Sequence, residues 1–490
     1  MRGCRRMTHR PLIHFTPARH WMNDPNGLVF HEGRYHLFFQ HNPWGIDHAN
    51  MSWGHASSVD LVTWTEHPVA ILADEHEQVY SGSVVVDVDD TAGFAGAGQT
   101  ALVAIYTSLS TTTGIQSQSL AYSVDEGMTW TKYAGNPVLD RGSRDFRDPK
   151  VFRYDGPAGA YWVMVAVEAD EHQVVFYRSD DLKDWTQLSS YGPAGAVGGV
   201  WECPDLFPLA VDGDPADERW VLVISLNPGG IAGGSGTQYV VGDFDGRCFV
   251  PDGPAPLAAT STDLAQLDWL DFGHDCYAGV TFSGLDRGRP LLIAWMNNWD
   301  YARAFPATTW RGAMTLARTL TLRTVDGRAQ LCSAPVAPIG TEVMRVCGVD
   351  LAESVPEVAV PRVARVGLRA RVAPGARLEV TLCSGGGEQV AALRYASGDR
   401  VVELDRALAP AADGDAGGML PGVSRAVIPG EGDLFEATII LDLTGVEVFA
   451  AGGARAITDL VTRPVDRLML GAHGPVRLER LTVHDLEGAQ

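Results

Sequence analysis

At 490 residues the chain exceeds what one hydrophobic core usually organises, so two domains are expected. Its 46% apolar and 20% charged residues are the composition of a folded globular protein and exclude a disordered one. Sixty acidic against 38 basic residues give a net charge of -22, which makes nucleic acid and acidic membrane surfaces poor partners and leaves a neutral small molecule unpenalised.

The chain opens on MRGCRRMTHRPLIHF, which has positive charge but no apolar run of signal-peptide length, whether Met1 or Met7 is the start. No later stretch approaches the roughly 18 apolar residues of a membrane span. A cytoplasmic protein is expected. Seven cysteines (4, 203, 248, 276, 332, 347 and 383) never form a CxxC pair, so reduced and mostly buried thiols are expected, not a disulfide framework or a zinc site.

Short runs rich in Val, Ile, Leu, Tyr, Phe and Trp, broken by Gly, Asp, Asn and Pro, then follow one another as far as about residue 330. GRYHLFFQ, SGSVVVDV, TALVAIYTS, YWVMVAVE, HQVVFYRS, RWVLVISL and PLLIAWMNNW are the clearest predicted strands, and convincing amphipathic helices are missing. An internal echo runs through them. SSVDLVTWTEHPVAI (57 to 71), YSVDEGMTWTKYAGNPVL (122 to 139) and YRSDDLKDWTQLS (177 to 189) each set a Ser-x-Asp turn before a Trp-Thr, which suits the four-stranded blades of a propeller.

The texture changes near SAPVAPIG (333 to 340), and no tryptophan follows Trp310. RVGLRARV, RLEVTLCS, ATIILDL and VEVFAAGG alternate with period two between Gly- and Asp-rich turns (ADGDAGG, GEGD), as strands packed on one face do. The expected division is therefore a β domain over 1–335 and a β-sandwich over 340–490. The second carries no readable motif; supporting the first, or making homodimer contacts, are the roles open to it.

Three segments place carboxylates at strand ends among aromatic and basic residues: WMNDPNG (21 to 27), FRDPKVF (146 to 152) and VWECPDLF (200 to 207). Hydrolysing an acetal takes one carboxyl group to protonate the departing oxygen and another to meet the developing positive charge. Asp24 lies among Asn23, Pro25 and Asn26, whose amides would keep it ionised, as a nucleophile requires. Glu202 lies between Trp201 and Cys203, surroundings that disfavour charge and suit an acid. Asp148 follows Arg147, which would keep it an ionised acceptor for sugar hydroxyls. Taken singly, an Asp-Pro-Asn segment is turn chemistry and an Arg-Asp pair a structural ion pair. Only the three segments together point to acetal hydrolysis.

In this order, on a β-rich first domain, WMNDPNG, FRDP and WECPD resemble glycoside hydrolase family 32, the β-fructofuranosidases that include invertases, exo-inulinases and levanases. The resemblance runs from HFTPARHWMNDPNG, beginning at residue 14, to WRGAMTLARTL at 310 to 320. It takes in FFQHNP, WGHASS, YSGSVVVD, KYAGNPVL, DFGHDCYAGVTF and AWMNNWDYA. It implies an all-β protein, a five-bladed β-propeller with a C-terminal β-sandwich. It also implies Asp24 as nucleophile, Glu202 as acid/base and Asp148 as the residue binding fructose hydroxyls. The nearby Arg144-Asp145 pair is set aside because no proline follows it. By the same matching Asn23, Gln40, Tyr80, Ser81 and Arg147 would line the fructose pocket, and Trp295 or Trp299 would offer a ring face.

Two departures stand out. HANMSWGH places His48 where the family usually has tryptophan, which bears on the glucose side of the pocket, and MTLAR replaces Met-x-x-Pro-Arg.

The expected reaction is a double displacement that retains configuration, with the two carboxyl groups about 5 Å apart. It acts on terminal fructose of sucrose, fructo-oligosaccharides or fructans, with no metal and no cofactor. A fructosyltransferase on the same scaffold is one alternative, and an inactive carbohydrate-binding protein is another.

Overall fold

The computed structural model describes residues 9–488 apart from 158, 255–257, 261–263, 305–308, 354–355, 407–419 and 421. The ADGDAGG turn and Cys4 lie outside the described residues. Among the described residues the only helices are two single 3-10 turns, and everything else regular is β.

Five sheets form the blades of a propeller, each built as an antiparallel meander. Their innermost strands are His20–His31, Glu77–Asp87, Phe146–Gly156, Val200–Ala210 and Tyr277–Thr281. Each inner strand packs against the next, and the fifth packs against the first, so the ring is closed. All seven strands anticipated above are present, one in each of the first, fourth and fifth blades and two in each of the second and third.

The echo has a physical basis. Ser58, Ser123 and Ser179 each donate a hydroxyl hydrogen bond to the aspartate two residues on, at 2.9, 2.7 and 3.0 Å. In each of the first three blades this turn joins the third strand to the fourth. Trp130 and Trp185 then close their turns by donating to the carbonyls of Gly127 and Leu182 at 2.9 Å. A repeated turn chemistry thus specifies a repeated hairpin.

Closure of the ring depends on a short strand, Trp310–Arg311, which pairs in parallel with His20 and Trp21 of the first blade. The chain leaves it through Gly312, at φ 98°, where a Cβ would lie 2.1 Å from the carbonyl oxygen of Met22. Only glycine fits there without displacing backbone.

Strands from Thr341 onward belong to two six-stranded sheets that pack face to face as a β-sandwich. Ala364–Val372 alternates buried and partly exposed residues along its length, so Val366, Leu368 and Ala370 enter the core while Arg365 and Arg369 face outward.

Sandwich and propeller meet over a buried polar seam. Arg318, fully buried, donates to Asp271 at 2.8 Å and to Glu447 at 2.7 Å. His14 bridges Asp442 and Glu447 of the sandwich at 2.8 and 2.9 Å. Arg406 reaches Asp275 and the hydroxyl of Tyr301 at 2.7 and 2.9 Å. Buried charges are tolerable only when paired this closely. The pairing anchors the segment that leads into Tyr277 and the one that follows Trp299.

Candidate active site

All five inner strands bulge at the same level, each with two residues set against one on the neighbouring strand. The register passes from Met22 to Pro25, from Val79 to Gly82, from Arg147 to Lys150, from Glu202 to Asp205 and from Tyr277 to Val280. Asn23 and Asp24, Tyr80 and Ser81, Asp148, and Cys203 therefore sit inside bulges, which re-aim side chains out of the pleat. Prolines 25, 149 and 204 stand in or beside three of these bulges, where a missing N–H costs no ladder bond.

Asp148, Cys203 and Ala278 adopt φ of 62°, 47° and 55°. Such left-handed conformations cost about 1–3 kcal/mol each in non-glycine residues and persist where the surroundings enforce them.

The bulges bring the three carboxylates into one hydrogen-bonded cluster. Ser81 donates to Asp24 Oδ2 at 2.7 Å. The Cys203 thiol lies 3.8 Å from that oxygen and 3.6 Å from Asp148 Oδ2, so one side chain spans both aspartates. The Cys203 backbone N–H donates to Asp148 Oδ2 at 2.9 Å, and the Asp148 N–H donates to Thr107 Oγ1 at 2.8 Å. Arg147 Nε donates to Glu202 Oε1 at 3.2 Å, and the Tyr277 hydroxyl donates to Glu202 Oε2. Asp24 Oδ1 accepts no hydrogen bond among the described residues. Asp145, the aspartate set aside above, touches this cluster only at its edge, 3.5 Å from the Arg147 guanidinium with its side chain 41% exposed.

Electrostatics depart from the sequence reading. Burial pushes the Asp24 carboxyl up to about 6, the charge of Glu202 adds to it, and the polar groups of Ser81, Asn23 and Cys203 oppose it only in part. The neighbouring amides therefore do not hold Asp24 in the ordinary carboxylate range. Asp148 also moves upward, because burial and the nearby Glu202 outweigh Arg147. Glu202 is not enclosed by apolar groups either. Trp201 turns into the core, while the Glu202 carboxylate faces Arg147 and Tyr277 with 24% of its side chain exposed.

Of the predicted pocket residues, Asn23, Gln40, Tyr80, Ser81 and Arg147 all lie on or beside this cluster. Asn23 accepts from Trp21 Nε1 at 2.7 Å, and Gln40 donates to the carbonyl of Val79 at 3.1 Å, so both are fixed from below. The two tryptophans differ. Trp295 is 0% exposed, packed against Trp21, Trp299 and Tyr277, so it has no face to offer a ligand. Trp299 is partly exposed and stacks on Trp21 with centroids 5.8 Å apart, so it forms the rim that Trp295 supports.

Three contributors escaped the sequence reading: the Cys203 thiol, the Tyr277 hydroxyl and Thr107. Cys203 is visible inside WECPD, but the sequence presents it only as an apolar neighbour of Glu202. Tyr277 lay in DFGHDCYAGVTF with nothing in its spacing to point it at a carboxylate.

Paired carboxylates on one face of a propeller, steadied by an arginine and overhung by stacked indoles, define a glycoside hydrolase. Residues 14–335 match the family model for the glycosyl hydrolases family 32 N-terminal domain. The chain belongs to glycoside hydrolase family 32. A levanase of Bacillus subtilis is 38% identical over 495 residues, covering 98% of this chain and 70% of the levanase. An extracellular exo-inulinase of Aspergillus niger is 46% identical over 353 residues, covering 67% of this chain and 64% of its own length. In three dimensions the exo-inulinase from Aspergillus awamori matches with a TM-score of 0.90 at 34% identity, over 98% of this chain and 99% of that one. A fructofuranosidase from Schwanniomyces occidentalis, complexed with fructose, matches at 0.88 with 30% identity and 99% coverage of both chains.

Proposed function

We propose that this chain is an exo-acting β-fructofuranosidase that releases terminal fructose from sucrose, fructo-oligosaccharides or fructans with retention of configuration. The observation that carries the reading is the convergence of Asp24, Asp148 and Glu202 through Ser81, Cys203 and Arg147. The names of the levanase and exo-inulinase relatives agree with it.

In this mechanism Asp24 Oδ1, which carries no competing hydrogen bond, attacks C2 of the fructosyl unit. The bond from C2 to the glycosidic oxygen breaks as Glu202 gives that oxygen a proton. Glu202, now ionised, takes a proton from water, whose oxygen displaces Asp24 from C2 and frees fructose. Asp148, fixed by the Cys203 N–H, takes the ring hydroxyls. Arg147 offsets the charge gathered among the three carboxylates.

We place the protein in the cytoplasm, acting on short importable sugars. The six described cysteines, all unpaired, support a reducing compartment. Cell fractionation checks this. A homodimer would use the sandwich, where Val427 and Met469 expose 56% and 41% of their surface, and sedimentation tests it.

The decisive experiment follows sucrose cleavage by NMR before mutarotation. β-Fructofuranose as the first product, lost in Asp24→Ala, is the expected result; initial α-fructose, or full activity in Asp24→Ala, would overturn the proposal.

A further inference from the structure

The polar side chains nearest the three carboxylates are mostly committed to one another, whereas His48 is not. It lies on the loop between Arg34–Asn42 and Ser52–Ser58, half-buried at the aromatic rim. Its ring meets Trp299 edge-on with centroids 5.3 Å apart and Trp21 edge-on at 5.9 Å, and it stands 6.4 Å from Tyr80. Three rings thus fix the plane of the imidazole. The ring hydrogen-bonds its own backbone and no other described residue, which leaves one nitrogen open to the pocket. Burial, with the charge of Arg303 adding, pulls its pKa down to about 4, so at neutral pH one nitrogen donates and the other accepts.

Position says what those nitrogens face. His48 feels the charge of Glu202, and Arg303, whose guanidinium lies 5.9 Å from the Trp299 ring, flanks it on the solvent side. Glu202 is the group that would hand a proton to the departing oxygen. At the rim beside Trp299, within reach of the charge of Glu202 and with Asp148 buried below, His48 is placed toward the departing group.

We infer that His48 is a specificity-determining residue for the leaving group, hydrogen-bonding a hydroxyl of the departing sugar and so favouring polyhydroxylated leaving groups over small or apolar ones. The inference rests on the hydrolytic reading above and adds to it the side of the glycosidic bond that the carboxylates do not address. A ring nitrogen held rigid at the rim, with no partner among the neighbouring side chains, is satisfied by a sugar hydroxyl and left unpaired by an alkyl group, which is the condition under which a polar site discriminates strongly.

The test compares sucrose with methyl β-D-fructofuranoside, which carries the same fructosyl unit but no sugar as leaving group. In His48→Ala the ratio of kcat/KM for sucrose to that for the methyl glycoside should fall about tenfold. His48→Asn, which keeps a donor and an acceptor, should recover part of it. A ratio within twofold of wild type in a folded His48→Ala, judged by an unchanged thermal midpoint, would overturn the inference. So would His48→Asn matching His48→Ala, because shape alone would then account for the change. Wild-type protein that cleaves neither glycoside overturns the hydrolytic reading itself, and the inference falls with it.

Discussion

Arg406 of the sandwich and Asp275 of the propeller meet at 2.7 Å with side chains 1% and 0% exposed, and Asp275 lies two residues before Tyr277, the hydroxyl donor to Glu202. The contact ties the second domain to the chemistry of the first. Tyr301, which shares the guanidinium, lies two residues beyond the rim residue Trp299 and extends the tie to the pocket mouth.

Arg406→Met should therefore destabilise the whole chain. It leaves Asp275 without its guanidinium in an enclosed site and weakens the surroundings of Asp459, 4.0 Å from the same group. Removing one partner of a buried pair costs about 3–5 kcal/mol. Chemical denaturation of the variant should show a loss of that size, and Arg406→Met combined with Asp275→Asn should recover part of it. A loss below about 1 kcal/mol would mean the seam is better solvated than its burial implies.

His14 carries a pH dependence at the same seam. Two sandwich carboxylates, Asp442 and Glu447, hold its imidazole against the cost of burial and raise its pKa to about 9. A folded-state pKa above the unfolded value of 6.5 favours the native state at low pH. The contribution is fully present below about 6.5 and is lost as pH rises through about 9, on the order of 3 kcal/mol. Urea unfolding from pH 6 to 9.5 should show this decline, and His14→Gln should be less stable at pH 6 and flatter across the range.

How much of this was legible in sequence depends on how local each feature is. The Ser-x-Asp turn is settled within a few residues, so Ser58, Ser123 and Ser179 announced three hairpins before any fold was known. Period-two alternation over Ala364–Val372 likewise needs only a strand with one buried face. The cluster of Asp24, Asp148 and Glu202 was legible as three motifs, but their environments were not. The pKa of Asp24 depends on burial and on Glu202, which the ring closure brings near from far along the chain. Trp295 and Trp299 looked equivalent in AWMNNWDYA, and only the packing of Trp21 between strand and loop separates the enclosed ring from the presented one.

Asp24 sets the acidic limb of activity. A nucleophile must be ionised, so kcat/KM for sucrose should fall roughly tenfold per pH unit below about pH 6, the alkaline limb being set separately by the need for a protonated Glu202. Ser81→Ala removes a hydroxyl that favours the ionised form at 2.7 Å. Its limb should move to higher pH by about one unit, the equivalent of a charged hydrogen bond of about 1.4 kcal/mol. A pH profile of kcat/KM for both proteins checks this. A limb near pH 4 in the wild type, unmoved in Ser81→Ala, would show that solvent reaches Asp24 more freely than its burial implies.

Arg147 is the cation placed among these carboxylates, 3.2 Å from Glu202 and one residue from Asp148. Its own pKa is raised, with Glu202 first among the charges that raise it against the cost of burial. Arg147→Met would leave Asp24, Asp148 and Glu202 with less to offset their mutual repulsion. Protons would then be retained where ionised groups are needed. The expected outcome is a fall in kcat/KM of about 10²–10³-fold, in the range for losing one electrostatic stabiliser, carried mainly by kcat. Arg147→Lys keeps the charge but loses the planar Nε donor that meets Glu202 Oε1, so it should fall between the two. A loss confined to KM in both variants would instead make Arg147 a substrate contact with no electrostatic part in the reaction, and steady-state kinetics on sucrose separates the two cases.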